Sequence, residues 1–177
     1  AEELCNAYAD HTGLEPMNIV AGNGSDELIS VIVNGFFGKG DRITICPPDF
    51  SMYQFYAELA ELQVDVFNKE NLILNLEILE EHMRKSGSRA VIFSNPCNPT
   101  GQGLSSSDIL SFADRTGFFV IADEAYMDFQ NDSIANKAVK RDNIIVLKTM
   151  SKLYGLAALR VGFAIGNEKL ISAIRKA

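Results

Sequence analysis

The sequence is poor in the residues that build disulfide frameworks and metal sites. Its 177 residues include only three cysteines and two histidines. Cys5, Cys46 and Cys97 are too scattered for a disulfide framework, and with two histidines they make a poor metal site. We therefore expect reduced, partly buried thiols of the kind found in cytoplasmic proteins, and no bound metal.

Long apolar runs and an excess of positive charge are also missing. The longest apolar runs, such as 118–122, have the length of a strand, whereas a membrane span needs roughly 18 residues. The 16 Lys and Arg residues are outnumbered by 23 Asp and Glu residues, whereas nucleic-acid-binding proteins present basic surfaces. The first residues lack the charged-then-apolar pattern of an export signal. We predict no membrane span, no nucleic-acid partner and a cytoplasmic location.

What the sequence does contain is an alternation of helical and strand-like segments. Hydrophobic residues make up 47% of the chain, which is enough for a packed core and excludes disorder as the main state. An opening helix ends at Gly13, and helical periodicity recurs in five segments: 26–37, 51–62, 77–85, 105–116 and 168–176. Short apolar runs predict six strands: 42–46, 64–67, 90–94, 118–122, 144–147 and 161–165. The alternation predicts an α/β sandwich with a mainly parallel sheet.

Polar side chains follow several of the predicted strands. The segment 95–101 comes after one apolar run, Asp123 and Tyr126 after the next, and Lys152 after a third, with Arg160 further on. Gly22 to Glu27 form a strand-to-helix junction. Because ligands of parallel α/β sheets bind beyond the carboxyl ends of the strands, we expect these groups to share one site.

Each of these features has a simpler structural explanation when it is taken alone. The segment 22–26 can be a turn followed by a helix cap, and 95–101 can be two turns. Asp123 can cap the following helix, Lys152 can be a solvated lysine, and Arg160 can pair with many acidic groups.

Three further polar residues are assigned no catalytic role. Glu124 is interpreted as a solvated or capping neighbour of Asp123. His11 and His82 lie on predicted helices without acidic partners at ligand spacing, so both are interpreted as structural.

One cofactor accounts for the amine, the carboxylate, the phenol and the phosphate anchor together. The aldehyde of pyridoxal 5′-phosphate forms an imine with a lysine, and its ring nitrogen needs a carboxylate to stay protonated. Its ring oxygen needs hydrogen-bond donors, and its phosphate needs a helix start and a cation. The combination predicts pyridoxal phosphate as the cofactor.

Five segments, in family order from about residue 19 to 166, resemble the fold-type-I pyridoxal-phosphate aminotransferases, and among them the histidinol-phosphate aminotransferase group. They are GNGSDELI, PPDFSMY, SNPCNPTG, IADEAY and TMSKLYGLAALRVGF. Any one of them is weak, whereas five in order are highly specific. The resemblance implies that residues 1–177 form the cofactor-binding large domain of such an enzyme, a three-layer sandwich with a mainly parallel mixed sheet.

The resemblance also implies roles for individual residues. Lys152 would form the imine and, once freed by substrate, would move a proton between the substrate and the cofactor. Asp123 would pair with the ring N–H through a charge-assisted hydrogen bond. Tyr126 and Asn98 would hold the ring oxygen, and Phe50 would stack on the ring, a contact that contributes about 1 kcal/mol.

The implied phosphate cradle lies at the start of the second helix. The backbone N–H groups there would bind the phosphate together with hydroxyl groups and one guanidinium. Its members would be Gly24, Ser25, Asp26, Thr149, Ser151 and Arg160. The Asp26 carboxylate is expected to turn away from the phosphate.

Two parts of the family pattern have no counterpart in this sequence. One is an N-terminal segment whose tyrosine reaches the cofactor of the partner subunit, and the other is a C-terminal small domain whose arginine holds the substrate carboxylate. We therefore expect the chain to be a fragment of a longer homodimeric enzyme. Because orienting the substrate supplies a large share of catalysis, we expect poor turnover or none by the fragment alone.

Four functions stay open from the sequence. The favoured one is transfer of an amino group from histidinol phosphate to 2-oxoglutarate. A decarboxylase acting on phosphorylated threonine is the alternative enzyme, and Ser151 directly before Lys152 favours the aminotransferase. A cofactor-free binding module is disfavoured because such a protein has no need for Lys152. A dinucleotide-binding domain is disfavoured because GNGSDE lacks the third glycine of its motif.

Overall fold

The computed structural model describes all 177 residues, which form seven strands and seven helices. The strands are β1 (Ile19–Asn23), β2 (Arg42–Ile45), β3 (Gln63–Val66), β4 (Ala90–Ser94), β5 (Phe119–Asp123), β6 (Ile144–Thr149) and β7 (Val161–Ile165). The helices are α1 (Glu2–Thr12), α2 (Gly24–Phe36), α3 (Met52–Leu59), α4 (Leu76–Ser86), α5 (Ser106–Thr116), α6 (Ala135–Ala138) and α7 (Glu168–Ile174). Short 3₁₀ turns occupy Pro16–Asn18, Met127–Phe129 and Ala157–Leu159.

All seven strands belong to one sheet in the order β1-β7-β6-β5-β4-β2-β3. The strands β2 to β6 pair in parallel, whereas β7 is antiparallel to both of its neighbours, β6 and β1. The predicted mainly parallel mixed sheet is therefore confirmed. The carboxyl ends of β1 to β6 and the amino end of β7 consequently meet at one edge.

The helices cover both faces of the sheet and make three layers. One core cluster joins alternate residues of the central strands, such as Val120 and Val146, to α1, α4 and α5. The other joins Ile121 and Leu147 to α2, α3 and α7. All six residues of β6 are buried, as expected for a strand covered on both faces. None of the helices combines the length and apolar character needed to cross a membrane.

Local signals explain where several elements begin and end. Gly13 follows α1 in the left-handed conformation, with φ of 71°, which glycine adopts at low cost. The Ser105 hydroxyl accepts the Asp108 N–H at 3.1 Å and caps α5. The helix α3 ends at Leu59, three residues earlier than 51–62 predicts, because the chain turns toward β3 with Glu61 at positive φ. The four-residue helix α6 is too short to produce a periodic pattern, and the sequence did not predict it.

The start of α2 is packed directly against β7 at Gly162. A Cβ atom at this position would lie 2.2 Å from the backbone nitrogen of Ser25 and 2.4 Å from the carbonyl carbon of Gly24. Both are backbone atoms, which cannot rotate out of the way. Only glycine therefore lets the helix start lie this close to the sheet.

The substitution Gly162→Ala is expected to destabilise the fold by about 1–3 kcal/mol, the usual cost of overpacking a rigid contact. The measurement is the free energy of unfolding in urea. Gly35→Ala is the matched control, since its added Cβ meets only the Ala177 side chain at 3.4 Å and alanine favours a helix interior. Equal stability of Gly162→Ala and the unmodified chain would contradict the close approach of the start of α2 to β7.

Candidate functional site

A cavity of about 490 Å³ lies at the sheet edge where the strand ends meet. Every predicted site residue except Gly24 lines it. These residues are Ser25, Asp26, Phe50, Asn98, Asp123, Tyr126, Thr149, Ser151, Lys152 and Arg160. Gly24 lies against Arg160, where a Cβ atom would come within 2.7 Å of the guanidinium Nη2. The fold therefore brings together groups that are distributed over 137 positions, from residue 24 to residue 160.

Asp123 is the last residue of β5, and only 4% of its surface is exposed. The Tyr53 hydroxyl donates to its Oδ2 at 2.7 Å, and the Ala125 N–H donates to its Oδ1 at 3.0 Å. No Lys, Arg or His nitrogen lies within 4.0 Å of this carboxylate. Burial raises the pKa of Asp123 to about 6, although the Tyr53 hydrogen bond opposes the shift. The carboxylate is thus suited to a ligand that presents a cationic N–H.

Lys152, Tyr126 and Asn98 form one side of the cavity. The Asn98 Nδ2 donates to the Tyr126 hydroxyl oxygen at 2.9 Å. The Lys152 Nζ lies 5.1 Å from the centre of the Tyr126 ring, within cation–π distance. A ligand in the cavity would therefore meet an amine, a phenol and an amide from three different strand-end segments.

Another group of residues that line the cavity is suited to bind an anion. The first turn of α2 has backbone N–H groups without helical partners, including those of Ser25 and Asp26. The Arg160 guanidinium lies over Gly24, because β7 runs against its neighbours and its amino end reaches this edge. Thr149 and Ser151 add hydroxyl groups from the end of β6. Helix-start N–H groups together with a guanidinium are a common phosphate-binding arrangement.

The Asp26 side chain lies next to α3. Burial, followed by the neighbouring Asp26 carboxylate, raises the pKa of Tyr56 on that helix. One Asp26 carboxylate oxygen, Oδ1, is buried without a hydrogen-bond partner. The backbone of Asp26 remains the part of the residue that is suited to bind an anion.

Six residues that line the cavity were not predicted from the sequence, and two of them, Tyr53 and Asp49, make side-chain contacts with other groups of the site. Tyr53 lies one helical turn after Phe50, in the same PPDFSMY segment, and holds Asp123. Asp49 accepts hydrogen bonds from the backbone N–H and the hydroxyl of Ser94 and pairs with Lys69 at 3.3 Å. Their position beside Phe50 was the available signal, whereas their partners come from distant segments.

The interpretation of Glu124 as a solvated neighbour is wrong. Its side chain is fully buried, because successive residues of an extended chain point to opposite sides and Asp123 faces the cavity. It accepts the Ile134 N–H at 2.9 Å and pairs with Lys148 at 3.2 Å. The residue ties the end of β5 to β6 inside the core.

His11, His82 and the three cysteines do not line the cavity. The His82 Nε2 lies 3.0 Å from the Asp65 carboxylate, a partner from β3 that the spacing along α4 did not indicate. The three cysteines are free and buried.

The fold is shared with aminotransferase structures. The solved structure of histidinol-phosphate aminotransferase from Sinorhizobium meliloti in complex with pyridoxal-5′-phosphate superimposes with a TM-score of 0.91 at 24% identity, covering 98% of this chain and 49% of that one. L-threonine-O-3-phosphate decarboxylase from Porphyromonas gingivalis has the same fold, with a TM-score of 0.83 at 20% identity, covering 99% of this chain and 52% of that one.

Sequence comparison gives the family. Residues 1–177 match the model of aminotransferase class I and II, and the chain belongs to this family. Histidinol-phosphate aminotransferase of Clostridium novyi (strain NT) is 43% identical over 177 residues, which are 99% of this chain and 50% of that protein. The chain spans about half the length of the curated relatives it matches.

The raised pKa of Asp123 predicts how stability depends on pH. The folded chain holds a proton at Asp123 up to about pH 6, whereas the unfolded chain releases it near pH 3.8. Stability should therefore fall as pH rises through this window. Asp123→Asn has no carboxyl to titrate at this position and lacks this dependence. Between pH 4 and above pH 6, the free energy of unfolding of the variant minus that of the unmodified chain should therefore increase by about 2–3 kcal/mol.

The measurement is urea unfolding of both ligand-free proteins across this pH range. Asp114→Asn is the control: Arg141 lowers the pKa of that exposed carboxyl below its ordinary value of 3.8, so the group titrates largely below this range and its removal should leave the pH dependence nearly unchanged. A constant difference between Asp123→Asn and the unmodified chain would show that Asp123 titrates normally.

Proposed function

We propose that residues 1–177 are the cofactor-binding large domain of a pyridoxal-phosphate-dependent aminotransferase. The observation that carries this proposal is the single cavity that joins Lys152, the buried Asp123 and the anion-binding start of α2. Family membership supports the reaction class. The expected substrates are an amino compound as donor and a 2-oxo acid as acceptor.

The residues of the cavity fit pyridoxal phosphate. Asp123 is a buried carboxylate that has no cationic partner and can accept the ring N–H. Tyr126 and Asn98 offer hydrogen-bond donors to the ring oxygen. The N–H groups at the start of α2 and the Arg160 guanidinium offer a phosphate cradle, and a Cβ atom at Gly24 would press on that guanidinium. When bound, the cofactor supplies an aldehyde that accepts amino groups and a ring that withdraws electrons.

The chain's own residues would then bind, orient and transfer a proton. Lys152 would be the nucleophilic amine, and its Nζ would move a proton at the substrate α-carbon. Asp123 would hold the ring N–H through a charge-assisted hydrogen bond and so favour the protonated ring. Phe50, which is 46% exposed at the cavity, is placed to cover the ring face.

For the substrate pair we propose L-histidinol phosphate and 2-oxoglutarate, in histidine biosynthesis. The support is the name shared by relatives such as the Clostridium novyi protein, 43% identical to this chain. A threonine-phosphate decarboxylase is less well supported, since the similarity of 20% to that structure shows the fold alone. A cytoplasmic homodimer is the proposed setting, with the substrate-binding residues contributed largely by the rest of the enzyme.

Borohydride reduction of the protein mixed with pyridoxal phosphate tests the assignment of Lys152. The expected product carries the phosphopyridoxyl group on the Lys152 peptide, because the other groups of the cavity orient the aldehyde there. Peptide mass spectrometry identifies the labelled lysine. Lys152→Ala should lose the label, whereas Lys85→Ala, on the exposed face of α4, should keep it. Labelling spread over surface lysines in both variants would contradict the proposal.

A further inference from the structure

The buried charged side chains of this protein lie around the candidate site. Three are carboxylates: Asp123 and Glu124, which are buried residues, and Asp49, whose side chain is 4% exposed. Two are ammonium groups, Lys69 and Lys148, the two buried lysines of the chain. Burying charge is costly unless each group has a partner of opposite sign. The group therefore has three negative charges and two positive charges when all five side chains are ionised.

Lys69 provides the positive charge for Asp49. Its Nζ lies 3.3 Å from the Asp49 Oδ2 and also donates to the Pro48 carbonyl at 3.0 Å and to the Cys97 Sγ at 3.3 Å. Its side chain is 2% exposed. The pair joins the segment that carries Phe50 to the segment that carries Asn98, on the side of β4.

Lys148 provides the positive charge for Glu124. Its Nζ lies 3.2 Å from the Glu124 Oε2 and 2.8 Å from the Oδ1 of the partly exposed Asp128. Glu124 also accepts the Ile134 N–H and the Ser133 hydroxyl. This second pair lies behind the end of β5, directly next to Asp123 in the chain.

Asp123 differs from both of these carboxylates. Its two hydrogen-bond donors, the Tyr53 hydroxyl and the Ala125 N–H, are neutral. Lys152 and Arg160 line the same cavity, but both are exposed and neither forms an ion pair with Asp123. Asp123 is therefore the one buried carboxylate of this group that has no cationic partner.

We propose that Lys69 and Lys148 are positioning residues that neutralise the carboxylates on either side of Asp123, and so reserve Asp123 as the one buried carboxylate that takes its positive charge from a ligand. The identity of that ligand rests on the proposed function, in which the protonated ring nitrogen of pyridoxal phosphate supplies the charge. The two lysines act through charge compensation without touching the ligand.

The groups that face Asp123 support this division of charge. After burial, the hydrogen bonds from Tyr53 and Ala125 have the next largest effects and lower the pKa of Asp123, while the negative charges of Asp49 and Glu124 have smaller effects and raise it. Removing the Lys69 ammonium would leave Asp49 uncompensated and strengthen its repulsion of the Asp123 charge. The ligand-free site would then retain a proton to a higher pH.

Carbon-13 NMR of the aspartate carboxyl groups in the ligand-free protein tests the proposal, with the Asp123 signal assigned from Asp123→Asn. Lys69→Met should shift the Asp123 titration midpoint upward from about 6. The double variant Asp49→Asn/Lys69→Met, which removes both charges of the pair, should return it to the unmodified value. Lys85→Met, which removes an exposed lysine, should leave it unchanged.

A second variant keeps the test independent of whether Lys69→Met folds. Asp49→Asn alone leaves the Lys69 ammonium unpaired near the site and should shift the Asp123 midpoint downward. For the other pair, Lys148→Met should raise the midpoint and Glu124→Gln/Lys148→Met should restore it. An unchanged Asp123 midpoint in the single variants, or a shifted midpoint in the double variants, would overturn the proposal.

The ligand is tested separately, with pyridoxal phosphate and with its analogue in which carbon replaces the ring nitrogen. The unmodified chain should bind pyridoxal phosphate at least about tenfold more tightly than the analogue, as expected for a charge-assisted hydrogen bond. Asp123→Asn should lose this preference. Equal binding of both compounds by the unmodified chain would overturn the claim that a ligand supplies the charge. If neither compound binds, the proposed function fails, whereas the titrations of the ligand-free protein still decide how the lysines act.

Discussion

The Asp123 carboxylate is buried at the carboxyl end of β5 with hydrogen bonds from the Tyr53 hydroxyl and the Ala125 N–H but without a cation. Burial of an uncompensated charge is unfavourable, and its cost appears as a pKa of about 6. The surrounding structure limits this cost. Tyr53 connects α3 to β5, and two buried lysines compensate the neighbouring carboxylates. The fold therefore tolerates one costly group at the place where a cationic ligand would relieve the cost.

The topology of the sheet explains how the other groups of the site reach this carboxylate. Parallel pairing brings the ends of β4, β5 and β6 to one edge, which carries Asn98, Tyr126 and Lys152. The reversal of β7 brings Arg160 to the same edge from the amino end of a strand. Gly162 then lets the start of α2 pack on β7 closely enough for Arg160 to lie over that helix start. The position of Arg160 over the start of α2 thus depends on one antiparallel strand.

Much of the fold and of the site could be predicted from the sequence because the signals are local. Apolar runs such as 90–94 indicated central strands, and Gly13 marked the end of the first helix. The site residues could be named because most of them lie at or after strand ends that share one edge, and because their segments resemble those of one enzyme family. The partners of Tyr53 and Asp49 could not be predicted, since they depend on contacts between segments far apart in the chain. The burial of Glu124 was missed because its lysine partner lies 24 positions away, on β6.

We propose that one cavity binds pyridoxal phosphate with its ring nitrogen at Asp123 and its phosphate at the start of α2. A crystal structure of the chain grown with pyridoxal phosphate measures this most directly. The ring nitrogen is expected within hydrogen-bond distance of an Asp123 carboxylate oxygen, and the phosphate is expected on the Ser25 and Asp26 N–H groups beside Arg160. A cofactor bound in the reverse orientation, or in another part of the molecule, would contradict it.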